Sequence, residues 1–502
     1  MAFLEVENLN KRFPHVWANQ DVCFDVRAGE IHCLLGENGA GKSTLAECLY
    51  GAFQPDSGTI RFKGDVLMLS SPRDATRAGI GMVHQHFALA PALSVIENVV
   101  VGTSRELLLD LRSAEARIEA LLAEYGVRLD LRIPVGELAI GQQQWVEILK
   151  ALYVGAELLI LDEPTAVLTP MEAQRLFDVL RRMKGEGLSV ILITHKLDEV
   201  TEVSDRVTVL AKGRVVATMS TAEVSAPLLA RMMVGRDVSL RVERRQNEPG
   251  DPVLEVIDLT VAGGSSDAVR GVSFQVRGRE ILGVVGISGN GQRELYEALV
   301  GVRLPRSGQI RLLGLDVSRC TARDLIDRQL SSVPEDRVRD GLVMDFRIDE
   351  NLALGFHRQA PFSRWGLLRQ SAMDEFAKNA VRTFGIASAS PRGLTRALSG
   401  GNMQKVILAR ELSRSPMCLV VNQPTRGLDV GASEYVRNRL VDECARGAAI
   451  VLMSEDLDEV FDLADRIAVM FQGQFVGVLD PSTATMEEVG LLMGGVIGEP
   501  TP

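Results

Sequence analysis

A glycine-rich loop near the N-terminus carries the first residues suited to binding phosphate. Residues 36–43 read GENGAGKS and are called the first phosphate loop below. Glycines let backbone N–H groups turn toward phosphate oxygens, Lys42 can reach the β- and γ-phosphates, and the Ser43 hydroxyl can ligate Mg²⁺. The loop lies between a predicted strand, Ile31 to Leu35, and a predicted helix starting near Lys42. This context is the one that such a motif requires.

Two carboxylates follow a second apolar segment, Leu158 to Leu161, which we interpret as a buried strand. Asp162 can hold magnesium, and Glu163 can act as a general base or orient a water molecule. Paired acids at the end of a strand are often merely solvated, so this prediction depends on the phosphate loop. His195 follows another apolar strand and could contact a γ-phosphate, although a lone histidine is more often structural.

The composition excludes several classes of protein. The chain has 502 residues, a net charge of −11 and a hydrophobic fraction of 46%. No run approaches the roughly 20 apolar residues that span a bilayer, and the first residues lack the basic and apolar regions of a signal peptide. The six cysteines form no metal-binding spacing and are expected to be reduced. These features predict a soluble cytoplasmic protein without a nucleic-acid partner.

The chain is an internal duplication. Residues 36–41 recur as 286–291 at an offset of 250, whereas Gly141 matches Gly401 at an offset of 260. The second copy therefore contains ten extra residues, all within positions 335–398. A fixed period of this length indicates two domains and is too long for a solenoid repeat.

The duplication predicts a first domain over residues 1–240, a linker over 241–252 and a second domain over 253–502. The linker is polar and contains proline and glycine, as linkers should. Within each copy, apolar β-rich segments alternate with helical patterns, so the predicted fold class is α/β with a mixed sheet core. The helical pattern over residues 112–125 stands apart from the strands and predicts a helical subdomain.

Together with the phosphate loop, five motifs, two of which contain the acids and the histidine named above, make the sequence similar to ATP-binding cassette (ABC) ATPases over nearly all of both copies. The matching positions, in chain order, are Phe13 as the aromatic that stacks on adenine, Gln85 in VHQHF as the Q-loop, Asp162-Glu163-Pro164-Thr165 as the Walker B ending, Thr194-His195 as the switch histidine, and Leu398 to Gln404 (LSGGNMQ) as the signature.

In that family two cassettes pair head to tail, so that each nucleotide lies between one phosphate loop and the opposite signature. The resemblance implies ATP and Mg²⁺ as cofactors of a first site, site one. The implied catalytic residues are Lys42, Glu163 and His195, and the implied metal ligands are Ser43, Gln85 and Asp162. The implied nucleotide-binding residues are Phe13, Gly36, Glu37, Asn38, Gly39, Ala40, Gly41, Lys42, Ser43, Thr44, Gln85, Ser399, Gly400 and Gly401.

The second site, site two, departs from the family at each demanding position. Its loop, residues 286–293, has Gln292 and Arg293 where lysine and Ser/Thr are expected; the other replacements are Glu335 for the Q-loop glutamine, Asn422 and Gln423 for the Walker B acids, Glu455 for the switch histidine, and Leu138-Ala139-Ile140-Gly141-Gln142 for the facing signature. An amide cannot serve as a base, so site two should hydrolyse ATP slowly or not at all. Arg293 could hold phosphate oxygens or simply face solvent.

The layout resembles bacterial importers of monosaccharides and nucleosides, and more narrowly the nucleoside branch served by basic-membrane-protein-type lipoproteins. The resemblance implies two integral-membrane permease subunits, an indirect extracytoplasmic solute-binding protein and a peripheral place on the cytoplasmic face of the membrane. A monosaccharide importer and, with less support, a soluble tandem cassette protein acting on ribosomes are the alternatives. The apolar stretch 88–101 is predicted either to dock a permease or to pack the helical subdomain.

Overall fold

The computed structural model describes residues 2–14, 16–85, 87–101, 111–166, 168, 170–237, 248–264, 266–388 and 390–495. Two compact units make up the chain: Met1–Val238 with Asp429–Gly431 form the first, and Ser239–Leu428 with Ala432–Pro502 form the second. Most of the predicted linker, residues 241–247, lies outside the described residues. Within the described ranges, no helix has both the length and the apolar character needed to cross a bilayer.

Unit one contains two sheets and a group of helices. Its strands are β1 (Ala2–Phe13), β2 (Val16–Arg27), β3 (Ile31–Gly36), β4 (Ser57–Phe62), β5 (Asp65–Val66), β6 (Ile80–Val83), β7 (Leu158–Asp162), β8 (Ser189–Thr194), β9 (Arg206–Ala211) and β10 (Arg214–Ser220). Its helices are α1 (Lys42–Leu49), α2 (Pro72–Ala78), α3 (Val95–Val100), α4 (Leu111–Tyr125), α5 (Ile140–Tyr153), α6 (Pro170–Gly185), α7 (Leu197–Val203) and α8 (Ala226–Val234).

The six-stranded sheet of unit one, in the order β10-β9-β3-β8-β7-β6, places the chemistry-bearing residues. Strands β3, β7 and β8 are parallel neighbours and every residue in them is buried, as expected for apolar runs covered on both faces. The carboxyl ends of parallel strands share one edge of the sheet, where α/β proteins place their ligands. The predicted mixed α/β sheet core is thereby confirmed. A second, antiparallel sheet has the order β2-β1-β4-β5.

Helices α3, α4 and α5 of unit one share a separate hydrophobic core, the predicted helical subdomain. Ser94 and Glu97 form a capping box that fixes the start of α3. Val95, Val99 and Val100 are buried in this core. The apolar stretch 88–101 thus packs the subdomain in large part, which favours that alternative over a docking surface.

Unit two repeats this architecture. Its strands are β11 (Pro252–Ala262), β12 (Asp267–Arg277), β13 (Ile281–Val285), β14 (Ser307–Leu312), β15 (Leu315–Asp316), β16 (Leu330–Val333), β17 (Ser363–Arg364), β18 (Leu367–Leu368), β19 (Cys418–Asn422), β20 (Ala449–Met453), β21 (Arg466–Phe471) and β22 (Gln474–Leu479). Its helices are α9 (Gln292–Leu299), α10 (Ala322–Asp327), α11 (Ile348–Ala353), α12 (Gln370–Thr383), α13 (Gly400–Leu412), α14 (Val430–Ala445), α15 (Leu457–Leu463) and α16 (Met486–Met493).

The main sheet of unit two has the order β16-β19-β20-β13-β21-β22, which matches that of unit one strand for strand. Two features fall in the stretch that contains the ten extra residues: a π-helical turn at Arg337–Gly341 and the small hairpin formed by β17 and β18. The extra residues therefore lie in the part of unit two that contains this turn and hairpin, and they leave the order of its main sheet unchanged.

Candidate functional site

The first phosphate loop joins β3 to α1, and glycine is required at two of its positions. Gly41 has a φ of 100° and packs so closely against the Ala18 carbonyl that a Cβ would collide with it. A Cβ on Gly36 would lie 2.5 Å from the Leu210 carbonyl oxygen. The glycines thus let the loop turn tightly at the sheet edge and begin α1 with free backbone N–H groups, a favourable arrangement for an anion.

Lys42, the first residue of α1, is buried and turns into this loop. Its Nζ donates to the carbonyl oxygens of Gly36 at 2.7 Å and Glu37 at 3.0 Å. Burial lowers the pKa of Lys42, while the charges of Glu163 and Asp162 act in the opposite direction. The ammonium is therefore held inside the phosphate loop by two carbonyls, with two carboxylate charges nearby, at the place where a phosphate would bind.

Asp162 ends β7 and is 5% exposed. Burial raises its pKa, and a hydrogen bond with Ser43 opposes this rise. Its Oδ1 is buried and has no hydrogen-bond partner within the described part of the chain. An unpartnered carboxylate oxygen beside a hydroxyl fits a magnesium ion that also takes oxygens from phosphate and water. No group of three or more His, Cys, Asp or Glu side chains among the described residues forms a metal cage of its own.

Glu163 is held in a sharp turn immediately after β7. Its φ is 47°, and its N–H donates to the Ile193 carbonyl at 2.9 Å. The left-handed backbone is costly for a residue with a side chain and is a feature that clusters at functional sites. The turn directs the carboxylate toward two of the other predicted residues.

The Glu163 carboxylate joins Gln85 and His195 in one cluster. Gln85 Nε2 donates to Glu163 Oε2 at 2.9 Å, and His195 Nδ1 lies 2.9 Å from Glu163 Oε1. Burial raises the pKa of Glu163, but the His195 hydrogen bond and the charges of His195 and Lys42 outweigh it, so the pKa lies below its ordinary value. The group is therefore ionised at neutral pH and able to accept a proton from water.

Glu199 is a residue that the sequence analysis missed. It is buried on α7 and accepts hydrogen bonds from Thr194, at 2.6 Å, and from Thr165. These bonds tie the loop that carries His195 to the loop that follows Glu163. The acid four residues after a histidine was a visible signal, but its partner Thr165 lies on another loop and is revealed only by the fold.

The remaining nucleotide-binding candidates lie in two other places. Phe13 ends β1, and its ring packs edge-on against Phe53 at 5.5 Å. Ser399, Gly400 and Gly401 lie at the start of α13 in unit two, where Asn402 donates to Ser399 Oγ at 2.8 Å. Stacking of Phe13 on adenine and contact of the signature with site one stay predictions.

Site two has the same backbone with different side chains. Gln423 follows β19 with a φ of 49°, and its N–H donates to the Met453 carbonyl at 2.8 Å, as Glu163 does in unit one. The Glu455 N–H lies 3.4 Å from Gln423 Oε1, and Glu335 pairs with Arg426. The cavity is only about 40 Å³; its lining includes Ser288, Gln292, Arg293, Asn422 and Gln423.

Arg293 does not turn into the second loop. Its Nε donates to Glu297 Oε1 at 3.0 Å, one turn further along α9, and its side chain is 63% exposed. The hydrogen bond and charge of Glu297 raise the pKa of Arg293. This geometry favours the solvent-facing alternative over a phosphate-binding arginine.

With this geometry established, comparison with known proteins identifies the class. The ABC transporter family model matches residues 19–166 and 269–426. The nucleoside import ATP-binding protein NupA of Lactococcus lactis subsp. cremoris is 43% identical, covering 99% of both chains. The glucose import ATP-binding protein TsgD13 of Haloferax volcanii is 46% identical, covering 98% of this chain and 96% of its own. The guanosine import ATP-binding protein NupO of Bacillus subtilis is 42% identical, covering 98% and 97%.

The chain belongs to the ABC transporter family, with one cassette in each copy. It is an ATP-binding subunit and an ATPase of that family, so the resemblance noted from the motifs is confirmed.

Proposed function

We propose that this chain powers a nucleoside importer by hydrolysing ATP at site one alone. The observation that carries the proposal is the cluster of Gln85, Glu163 and His195 at the sheet edge beside Lys42 and Asp162, together with the amide replacements in unit two. Relatives named for nucleoside and guanosine import align with 99% and 98% of this chain, which supports the choice of cargo.

In the proposed reaction, backbone N–H groups of the first phosphate loop and the Lys42 ammonium bind the β- and γ-phosphates. Ser43, Gln85 and Asp162 hold Mg²⁺, which when bound neutralises charge on the phosphates. Phe13 stacks on the base.

Glu163 orients the attacking water and accepts its proton. His195 keeps the Glu163 carboxylate ionised and aimed, and it contacts the γ-phosphate.

The second half of the proposal concerns assembly. The signature residues Ser399, Gly400 and Gly401 complete site one in a head-to-tail pairing, and the domains extend over 1–240 and 253–502, with 241–252 as the linker. Two permease subunits receive the motion at the cytoplasmic face of the membrane, and an extracytoplasmic binding protein delivers the solute. No nucleic acid takes part.

A monosaccharide is the second candidate cargo, because the relative named for glucose import is 46% identical over 98% of this chain. Deleting the gene from its host and measuring uptake of labelled guanosine and labelled glucose distinguishes the two. We expect guanosine uptake to fall, and to be restored by the wild-type chain but not by Lys42→Ala. Loss of glucose uptake alone would reassign the cargo, and loss of neither would contradict the importer.

A further inference from the structure

The hairpin of β17 and β18 exposes large apolar side chains at its tip. Ser363 pairs with Leu368 and Arg364 with Leu367, which leaves Trp365 and Gly366 as the turn. Trp365 is 90% exposed, Leu367 74% and Leu368 59%. An indole and two leucines exposed together on six residues form the kind of patch that marks a binding surface.

The base of the hairpin is fixed firmly to the fold. Phe362 is buried and packs against Phe356 at 5.5 Å and against Phe376 of α12 at 5.3 Å, while Phe356 and Phe376 also meet at 5.3 Å. The Arg369 N–H donates to the Phe362 carbonyl at 2.8 Å and closes the hairpin. The tip side chains therefore point outward from an anchored element.

The backbone of the turn is strained at Trp365. Trp365 has a φ of 57° and Gly366 a φ of 79°. A left-handed backbone is natural for glycine but is an outlier for a bulky side chain, and such outliers concentrate where function demands them. Tryptophan at this position is not explained by folding of the hairpin, since a glycine or asparagine there would form the turn more easily.

The hairpin segment itself is basic in an acidic protein. The net charge of the chain is −11, yet residues 357–373 contain Arg358, Arg364 and Arg369 and no aspartate or glutamate, and the nearest acids in sequence, Asp374 and Glu375, follow on α12. All three arginines are exposed, and none of them forms an ion pair with another described residue. The hairpin thus combines an exposed aromatic side chain, exposed aliphatic side chains and positive charge that is unpaired among the described residues.

We propose that the hairpin 363–368, with its three flanking arginines, is a membrane-contact element that binds anionic phospholipid. Trp365 and Leu367 enter the interfacial region of the bilayer, where tryptophan is favoured, and the guanidinium groups pair with headgroup phosphates. Cytoplasmic loops of membrane proteins carry excess lysine and arginine, so a basic hairpin is better matched to lipid than to a permease loop.

The test is co-sedimentation of the full chain with vesicles of phosphatidylcholine alone or mixed with phosphatidylglycerol. We expect binding to the anionic vesicles, weakened about fivefold for each arginine removed in Arg364→Gln and Arg369→Gln. Trp365→Ser with Leu367→Ser should reduce binding at least tenfold. Matched controls are Val302→Ser with Leu304→Ser, at apolar residues that are 70% and 64% exposed, and Arg279→Gln with Arg319→Gln.

A second measurement reports on the hairpin directly. The emission of Trp365, obtained as the difference between the wild type and Trp365→Phe, should shift to the blue with anionic vesicles and be quenched by brominated lipid. Absence of vesicle binding, or equal loss in hairpin and control variants, would overturn the proposal. So would normal vesicle binding by the hairpin variants combined with loss of co-purification with the permeases, which would assign the hairpin to the protein partner. ATP turnover by the isolated chain should be unchanged in every hairpin variant.

Discussion

The two phosphate sites differ in side chains and hardly at all in backbone. Glu163 and Gln423 occupy the same strand end with φ values of 47° and 49°, and each N–H donates to the carbonyl of the neighbouring strand. A buried glutamate ties the next loop in both units: Glu199 to Thr194 at 2.6 Å, and Glu459 to Ser454 at 2.7 Å. Site two has therefore kept the backbone scaffold of site one although its reactive side chains are replaced.

The retained network explains how site two could lose its reactive groups without losing its fold. Glu459 is fully buried, and burial raises the pKa of its carboxyl group. It accepts a hydrogen bond from Ser454, and Arg437 lies 3.9 Å from its other oxygen, so its contacts are internal to the fold. At the replaced Walker B position, Asn422 is as buried as Asp162, each 5% exposed, so the amide fills the space of the carboxylate without its charge. The comparison predicts large effects for substitutions at site one and small ones at the matching positions of site two.

Glu163→Gln should give the largest loss, because it removes the carboxylate that accepts the proton while preserving the shape of the side chain. We expect ATP turnover to fall about 10²–10⁴-fold with ATP binding retained. Steady-state phosphate release and nucleotide binding measure the two separately. Gln423→Ala is the matched control and should change turnover less than about twofold; an equal loss there would contradict the asymmetry.

Lys42→Ala should have the second-largest effect. We expect ATP turnover to fall about 10²–10³-fold, because the substitution deletes a preorganised cation from the phosphate loop. Gln292→Ala in the second loop removes an amide whose hydrogen bond to the Ile287 carbonyl is 3.3 Å long, and most turnover should remain. Competition with a labelled ATP analogue separates binding from chemistry. Comparable losses in the two variants would mean that both loops support hydrolysis.

His195→Ala tests the electrostatic link to Glu163 and should lower turnover up to about 10²-fold at neutral pH. The hydrogen bond from His195 favours the charged carboxylate, so removing it should raise the pKa of Glu163. Because only the carboxylate acts as a base, activity is lost as pH falls through this pKa. The acid limb of kcat/KM should therefore move to higher pH in the variant. An unmoved acid limb would assign His195 a role apart from Glu163, and Glu455→Ala should leave the profile unchanged.

Much of this arrangement could be predicted from the sequence. The duplication, the buried strands and both phosphate loops rest on local patterns, because apolar runs and glycine spacing report directly on strands and tight turns. The family motifs also predicted that Gln85, Glu163 and His195 would belong to one site.

Long-range partners were beyond such reasoning. Nothing local indicated that Glu199 would bond to Thr165, because this contact depends on which loops the fold brings together. The pair of Arg293 and Glu297 is different, since its (i, i+4) spacing on α9 is visible in the sequence. The exposed hairpin was not predicted either, since the sequence does not show that the apolar side chains of Trp365 and Leu367 are exposed. The sequence therefore predicted the helices and strands better than it predicted which way individual side chains point.

Arg293→Ala should have the smallest effect of the series. Arg293 contributes to the lining of the site-two cavity, but its guanidinium is held by Glu297 and its side chain is 63% exposed, so we expect it to add little to nucleotide binding. With site one blocked by Lys42→Ala, the nucleotide affinity of the double variant should lie within about twofold of that of the single variant, because losing an exposed (i, i+4) pair changes helix stability by only about a few tenths of a kcal/mol. Equilibrium binding of a fluorescent ATP analogue measures this. A tenfold loss would show that the arginine swings inward when nucleotide arrives, and would make site two a genuine binding site held by an arginine in place of lysine and magnesium.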